Sequence, residues 1–358
     1  MTNEDSPPSS TKLFEALQKE FTCFNDGSVR DSRGILNTVW KVSDFQRWWL
    51  AFETHAGVPL GRKLMNAATD QEEYFLNESS LFDVGWFMKK LKVNALLTQR
   101  WQNMGWGQYS LSKNTVLSHL LAPVCSGFAL ATLETLKSHR FKVQWRQVSN
   151  VQIQLETSDD PRSISVAPPP PKFHWDSKPI DSLPQQNKGL ALDLQLNEYG
   201  WSHSGEHCFL LPIGVLQRLF ESVNMQGLQL PSDVLEAWEF PEEFNSSHAL
   251  SLVLSSLAMN DMVSQSERPI YIQNLKSWSQ LVEAYMVPFG FGSFASIRAL
   301  DEQGGVEFEL RPSALLPLTL GYLIAFWQRG IGRKARVKMA LKNENWSFQI
   351  TSFLDYAE

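Results

Sequence analysis

One stretch of sequence occurs twice in this chain and constrains its fold more than any other feature. The first copy runs from Trp101 to Ser158 and the second from Met286 to Ser352. Each contains a Gly-x-Gly pair among aromatic residues, then a proline and a glycine before an apolar segment, then two alternating runs that close on Thr-Ser. Because a period this long is typical of a copied domain and not of a solenoid, the pattern predicts a tandem duplication. The shared positions are Gly105, Gly107, Pro123 and Gly127 in the first copy and Gly290, Gly292, Pro317 and Gly321 in the second.

The spacing of apolar residues predicts the same order of elements in both copies. A long helix, from Leu81 to Gln102 in the first copy, leads into the Gly-x-Gly pair, which opens a strand. A second strand, a helix and a hairpin follow, with the first hairpin turning at Gln147–Asn150. The fold class is therefore α+β, with two tandem lobes, each of N-terminal helices and a β-β-α-β-β unit with an antiparallel sheet. The hairpins alternate apolar and polar residues, so one face of each should be solvated, namely Lys142, Gln144, Arg146, Gln152, Gln154 and Glu156, with Arg336 and Lys338 in the second copy.

Composition places the domain boundaries. Residues 1–11 are polar and predict a disordered tail, residues 12–158 form lobe one, residues 159–189 a proline-rich linker, and residues 190–358 lobe two. The four prolines Pro168–Pro171 predict a stiff, extended spacer. Before the first repeat, Lys12 to Phe24 predicts a helix, and Ser43 is the expected N-cap of another.

Charge and cysteine content exclude several classes of protein. The net charge of −6 argues against a general nucleic-acid binder. The three cysteines, Cys23, Cys125 and Cys208, have no metal-binding or disulfide spacing, which favours a reducing cytoplasm. The two most apolar stretches are interrupted by proline or are too short, so no transmembrane span is expected.

Helices followed by β-β-α-β-β, opened by Gly105-Trp-Gly107 or Gly290-Phe-Gly292, resemble the 4-vinyl reductase domain, whose superfamily includes the TRAPP vesicle-tethering subunits. The resemblance covers Asp44–Ser158 and Gly214–Ser352. It implies binding of a small apolar ligand and dimerisation, here as a pseudo-dimer within one monomer. Many members carry a cysteine cluster near the closing hairpin. This chain has none there, so the resemblance implies neither a metal nor a redox cofactor, and reductase chemistry does not follow from it.

The aromatic residues around the two glycine pairs are the candidate ligand-binding site. Glycine removes side-chain volume and aromatic rings supply apolar area, so the rings could line a pocket of roughly 300 Å³ or more. They could equally fill the gap as ordinary core. If they line a pocket, Gly107→Leu should abolish binding of an apolar probe and leave the fold intact. The candidates are Trp101, Gly105, Trp106, Gly107, Tyr109 and Phe128 in lobe one and Phe289, Gly290, Phe291, Gly292, Phe294 and Tyr322 in lobe two.

Basic residues follow the core helix in both copies. Cations at a helix C-terminus complement the helix dipole, and a dense cluster can also attract an anionic partner. Lobe two carries the denser cluster, which is Arg329, Arg333, Lys334, Arg336 and Lys338.

His203 and His207 could share a metal only on a helix, and Ser204-Gly205 between them favours a turn instead. No catalytic triad can be assembled from the sequence. We therefore predict a non-enzymatic protein with no cofactor, which binds a small apolar ligand or acts as a scaffold for a protein partner. The alternative is an enzyme or enzyme accessory that acts on a large apolar substrate such as a tetrapyrrole.

Overall fold

The computed structural model describes residues 10–79, 81, 89–163, 165–176, 190 and 192–354. In the first half of the chain the elements are α1 (Ser10–Glu20), β1 (Phe21–Cys23), β2 (Val29–Asp31), β3 (Leu36–Lys41), α2 (Val42–Ala56), α3 (Gly61–Glu78), α4 (Lys89–Met104), β4 (Gln108–Ser110), β5 (Thr115–Leu117), α5 (Ala122–Lys137), β6 (Phe141–Gln147) and β7 (Gln152–Asp159).

In the second half they are β8 (Leu194–Asn197), β9 (Gly200–His203), β10 (Glu206–Pro212), α6 (Ile213–Asn224), α7 (Ser232–Leu235), β11 (Trp238–Glu239), α8 (Ser246–Ser264), α9 (Leu275–Tyr285), a 3-10 turn (Val287–Phe289), β12 (Ser296–Ala299), β13 (Val306–Leu310), α10 (Leu316–Ile331), β14 (Ala335–Lys342) and β15 (Asn345–Ser352). The α+β class is confirmed. Both halves run through a three-stranded meander and helices before the β-β-α-β-β order.

A six-stranded antiparallel sheet contains strands from both halves, in the order β1-β2-β3-β10-β9-β8. The two central strands of this sheet, β3 and β10, pair with each other, and Val39 lies opposite Leu210. Both of these residues are fully buried, as are most of the residues beside them. One meander from each half thus shares a single sheet and a single apolar core.

The helix that follows each meander packs on the other half of the chain. Helix α2 lies against α8, and α6 lies against α3. The indole N–H of Trp48 on α2 donates to the carbonyl of Ser255 on α8 across 3.4 Å. Lys63 on α3 donates to the carbonyl of Ser222 on α6 across 3.1 Å. Each meander and its helix are therefore exchanged between the halves.

Each half closes with its own sheet, in the order β4-β5-β7-β6 or β11-β14-β15-β13-β12. In β6, Val143 is buried while Lys142 and Gln144 are exposed. In β14, Val337 is buried while Arg336 and Lys338 are exposed. The predicted phase of both hairpins is confirmed, because a slip of one residue would exchange these faces.

Two predictions near the N-terminus are wrong. The helix expected over Lys12–Phe24 ends at Glu20, because Phe21 and Cys23 alternate as buried residues of β1. Ser43 is not an N-cap, since α2 already begins at Val42. The hydroxyl of Ser43 donates instead to the carboxylate of Glu206, on β10 of the other half.

The segment 165–176 is part of the core and does not act as the expected spacer. Phe173 and Trp175 are 2% and 1% exposed and stack with ring centroids 4.5 Å apart. The carbonyl of Trp175 accepts the indole N–H of Trp346 across 3.1 Å. The proline-rich start of this segment is also tied to the second half, because the carbonyl of Pro168 accepts a hydrogen bond from Arg218 of α6. Residues 177–189, and 82–88 of the predicted Leu81–Gln102 helix, lie outside the described residues.

In the described part of the chain, no helix combines the length and apolar character needed to cross a membrane.

Candidate functional site

The two glycine pairs lie in connections between a helix and a strand. Gly105 and Gly107 occupy the loop between α4 and β4, and Gly290 and Gly292 follow the 3-10 turn. All four have positive φ, between 71° and 96°. A strand follows each pair as predicted, at Gln108 and at Ser296, but the glycines lie before the strand. The left-handed conformation turns the chain there, and glycine adopts it without a steric penalty.

Each glycine pair contacts a hairpin turn from the other half. A Cβ on Gly27, in the β1–β2 turn, would lie 2.6 Å from the carbonyl carbon of Gly292. In the corresponding contact, a Cβ on Gly200 would lie 3.0 Å from the carbonyl oxygen of Gly105. A Cβ on Gly105 would lie 2.7 Å from the indole ring of Trp201. The glycines thus let two backbones approach across the junction between the halves.

The aromatic residues of the first candidate site fill the space beside their glycines. Trp106 stacks on Phe128 with centroids 3.8 Å apart, and Trp101 meets Trp106 edge-on at 5.9 Å. Tyr109 packs on Trp101 at 5.6 Å. All four are buried, and Trp106 also donates its indole N–H to the carbonyl of Leu210 on β10. These rings pack as core and form part of the contact with the exchanged meander.

Gly107 could not carry a larger side chain without rearrangement. A Cβ at this position would lie 2.1 Å from the carbonyl oxygen of Leu117, which is backbone of the neighbouring strand. The expectation that Gly107→Leu leaves the fold intact is therefore wrong. The substitution would separate β4 from β5, so it could not serve as a test of ligand binding alone.

The aromatic residues of the second candidate site are divided among several contacts. Phe291 packs between Tyr322, at 5.2 Å, and Trp40 of β3, at 4.9 Å. Phe294 packs on Phe308 at 5.4 Å. Phe289 is half-buried, with its centroid 5.8 Å from that of His203. Unlike the first set, these residues do not form one cluster.

Gly127 and Gly321 allow two pairs of helices to approach closely. A Cβ on Gly127 of α5 would lie 2.4 Å from the carbonyl oxygen of Met65 on α3. A Cβ on Gly321 of α10 would lie 2.5 Å from the Cβ of Met259 on α8. In the repeat these two glycines are shared positions that precede the apolar segment of each copy. The structure assigns them to helix–helix packing.

A buried charged cluster that sequence reasoning missed joins the halves at Tyr322. Arg268 pairs with Asp44 of α2 and donates to the hydroxyl of Tyr322 across 3.0 Å. Burial raises the pKa of Tyr322, which keeps the phenol protonated. Asp44 and Arg268 are far apart in sequence and belong to no motif, so their pairing could only come from the structure.

The five basic residues of lobe two have separate roles. Arg329 donates to the carbonyls of Val263 and Ser266, at the end of α8, across 3.0 Å each. Lys338 pairs with Glu239. Arg333 lies 3.4 Å from the amide oxygen of Gln303. Lys334 and Arg336 lie over the ring of Phe353. An anionic partner would therefore meet chiefly Lys334 and Arg336.

His203 and His207 lie on the β9–β10 hairpin, with Ser204-Gly205 at its turn, as the sequence predicts. His207 stacks on His119 of the first half with ring centroids 3.6 Å apart. The described residues hold no group of three or more potential metal ligands. Sequence reasoning missed the His119–His207 contact because it depends on the exchanged meander.

Two of the three thiols are unsuited to nucleophilic chemistry. Cys125 and Cys208 are buried, and that burial raises the pKa of each thiol to about 12. Because the thiolate is the reactive form, both remain protonated near neutral pH.

Comparisons of the chain with protein-family models, with curated proteins and with solved structures each returned no match.

Proposed function

We propose that this protein is a non-enzymatic scaffold, produced by duplication, whose two halves act as an internal pseudo-dimer. The observation that carries the proposal is the stack of Trp106 on Phe128 at 3.8 Å, with both rings buried. Aromatic rings beside the glycines would have to stand apart to line a pocket, and in this arrangement they fill the space. The resemblance to the 4-vinyl reductase domain remains a prediction, which the shared order of elements supports.

The exchange of meanders supports the same proposal. Residues at the junction between the halves pack against each other. Trp106 donates a hydrogen bond to the carbonyl of Leu210, and Gly27 approaches the backbone of Gly292. A junction packed in this way fixes the relative placement of the halves. A fixed body with two polar sheet faces suits a role in holding partners more than a role in enclosing a substrate.

The test is a titration of the full-length protein with the neutral apolar dye Nile red, followed by fluorescence. The scaffold proposal expects no saturable binding by the unaltered protein. Phe128→Ala removes one ring of the stack and should create a cavity of about the size of benzene, which is too small for the dye and should take up benzene instead. Saturable binding by the unaltered protein, weakened by Phe128→Trp, would instead establish a ligand site at these rings and overturn the scaffold proposal.

A further inference from the structure

The sheets that close the two halves, β4-β5-β7-β6 and β11-β14-β15-β13-β12, differ at the edge that follows the core helix. Strand β14 is covered by the short parallel strand β11, whereas β6 pairs only with β7 among the described residues. The difference arises from the preceding connections. Helix α6 ends at Asn224 and α8 begins at Ser246, and the long connection between them carries β11. Helix α2 ends at Ala56 and α3 begins at Gly61, so the corresponding connection is too short to supply a strand.

The segment that covers β14 shows which chemistry suits such an edge. Trp238 lies opposite Val337, whose backbone N–H donates to the carbonyl of Ala237 across 2.8 Å. The carboxylate of Glu239 pairs with Lys338. The ring of Trp238 is stacked on that of Phe240, with centroids 5.9 Å apart. An extended strand with aromatic and acidic side chains is therefore the natural cover of this edge.

A cleft of about 580 Å³ runs beside β6. Its apolar lining includes Met65 of α3, Leu130 of α5 and Val143 of β6, which are 3%, 6% and 5% exposed. Ser163 and Ser165 also line the cleft. The cleft thus offers apolar surface next to a strand edge, in the place that β11 occupies beside β14.

The charge of the cleft favours an acidic occupant. Four cations line it against the two carboxylates of Asp70 and Glu134. Arg140 and Arg162 are neutralised, because Arg140 pairs with Glu134 and Glu73 and Arg162 pairs with Asp160. Arg62 and Lys142 have no carboxylate within salt-bridge distance among the described residues. The four cations are Arg62, Arg140, Lys142 and Arg162.

Arg62 shows that a hydrogen-bond donor can reach the edge of β6. Its guanidinium donates to the backbone carbonyl of Val143 across 2.9 Å and lies over the ring of Trp145. A side chain therefore satisfies an edge carbonyl that a neighbouring strand would otherwise bond. An unpaired edge that is covered by an exposed charged side chain is open to strand addition once that side chain moves away.

We propose that the edge of β6 binds an extended peptide segment of a partner protein, with an aromatic residue opposite Val143 at the cleft and an acidic residue opposite Gln144, within reach of Lys142. The inference rests on the scaffold function proposed above, and it names the docking surface and the chemistry of the partner. The bound segment adds a parallel strand to β6, in the manner of β11 on β14.

The test uses a fluorescein-labelled peptide with the sequence of residues 235–243, which includes β11, and anisotropy with the full-length protein. Saturable binding is expected. Lys142→Glu, at an exposed position, and Asn66→Trp, which fills the cleft, should each weaken it about tenfold or more. Lys113→Glu is the matched control, since Lys113 is exposed on the turn between β4 and β5, at the far side of the same sheet, and should leave binding unchanged. Absence of saturable binding, or equal effects of Lys142→Glu and Lys113→Glu, would overturn the proposal.

Backbone methylation of the peptide separates strand addition from simple charge attraction. Alternation along a strand directs the amide of Glu239 toward the edge and that of Trp238 away from it. A peptide methylated at the Glu239 amide should lose binding, and one methylated at the Trp238 amide should retain it. Equal affinity of the two peptides would contradict strand addition. Neither result depends on Nile red, so failure of the docking proposal is distinguishable from failure of the scaffold proposal.

Discussion

Gly292 donates its backbone N–H to the carbonyl oxygen of Gly27 across 3.0 Å. The bond joins the loop before β12 in the second half to the β1–β2 turn in the first. Both glycines have positive φ, and a side chain on Gly27 would overlap the backbone of Gly292. The second glycine pair is thus explained by contact between two parts of the chain that are remote in sequence, and no ligand is needed to account for it.

Gly27→Ala should destabilise the protein by about 2 kcal/mol or more, because it combines an unfavourable φ with a clash against backbone. Gly34→Ala is the matched control. Gly34 has a similar φ of 83°, but a Cβ there would meet nothing within 4 Å. It should therefore cost only about 1 kcal/mol. Urea unfolding of both variants measures the difference, and equal losses would show that the contact with Gly292 contributes nothing.

The sequence predicts the order of the elements well because that information is local. The alternation around Val143 and Val337 fixes which face of each hairpin is buried, and the structure agrees. The repeat also singles out Gly105 and Gly292, because a repeated motif is local information. It does not predict their role, which depends on contact with the turns at Gly200 and Gly27 in the other half.

The candidate site, too, is predicted by the sequence only in part. Trp101, Trp106, Tyr109 and Phe128 do gather in one place, as the repeat suggested. The spacing of apolar residues indicates that a side chain faces inward, but it does not indicate whether the aromatic rings contact each other or leave a space. The exchange of meanders is also invisible to periodicity, because a helix such as α2 has the same apolar face whichever half it packs against.

Trp175→Ala should destabilise the protein by about 3–5 kcal/mol, the usual cost of deleting a buried aromatic side chain. Trp175 is 1% exposed, although it lies in a segment that the sequence marks as a linker. Val166→Ala is the control in the same segment, since Val166 is 54% exposed and should change stability by less than about 0.5 kcal/mol. Thermal and urea unfolding would detect the contrast. A silent Trp175→Ala would mean that the segment is a spacer after all.

Glu307→Gln should destabilise the protein by about 1–2 kcal/mol at neutral pH. The loss is this small because Arg298 and Lys342 are partly exposed, and solvent screens their ion pairs with Glu307. The carboxylate is 4% exposed and accepts hydrogen bonds from Arg298, Lys342 and Ser347, which together hold its pKa well below its usual range. A depressed pKa gives stability that is present above the unfolded value of 4.5 and is lost as the pH falls below it.

The effect of Glu307→Gln should therefore shrink when urea unfolding is repeated near about pH 3. Glu309→Gln on the same strand is the control. Glu309 accepts a hydrogen bond from Ser296 at an exposed contact, so its loss should be smaller. A Glu307→Gln effect of constant size between the two pH values would contradict the assignment of this network to the charged carboxylate.

His119→Phe should make the protein less sensitive to mild acid. The ring of His119 stacks on His207 at 3.6 Å, and burial, with the nearby charge of His207, lowers the pKa of His119. Between that lowered pKa and the unfolded value of 6.5, the unfolded chain binds more protons, so stability falls as the pH falls through 6.5. Phenylalanine keeps the stacked ring but cannot be protonated. Urea midpoints measured between about pH 7.5 and about pH 5.5 should therefore decline less for His119→Phe than for the unaltered protein. An equal decline in both proteins would show that the contact of His119 with the exchanged meander is insensitive to protonation.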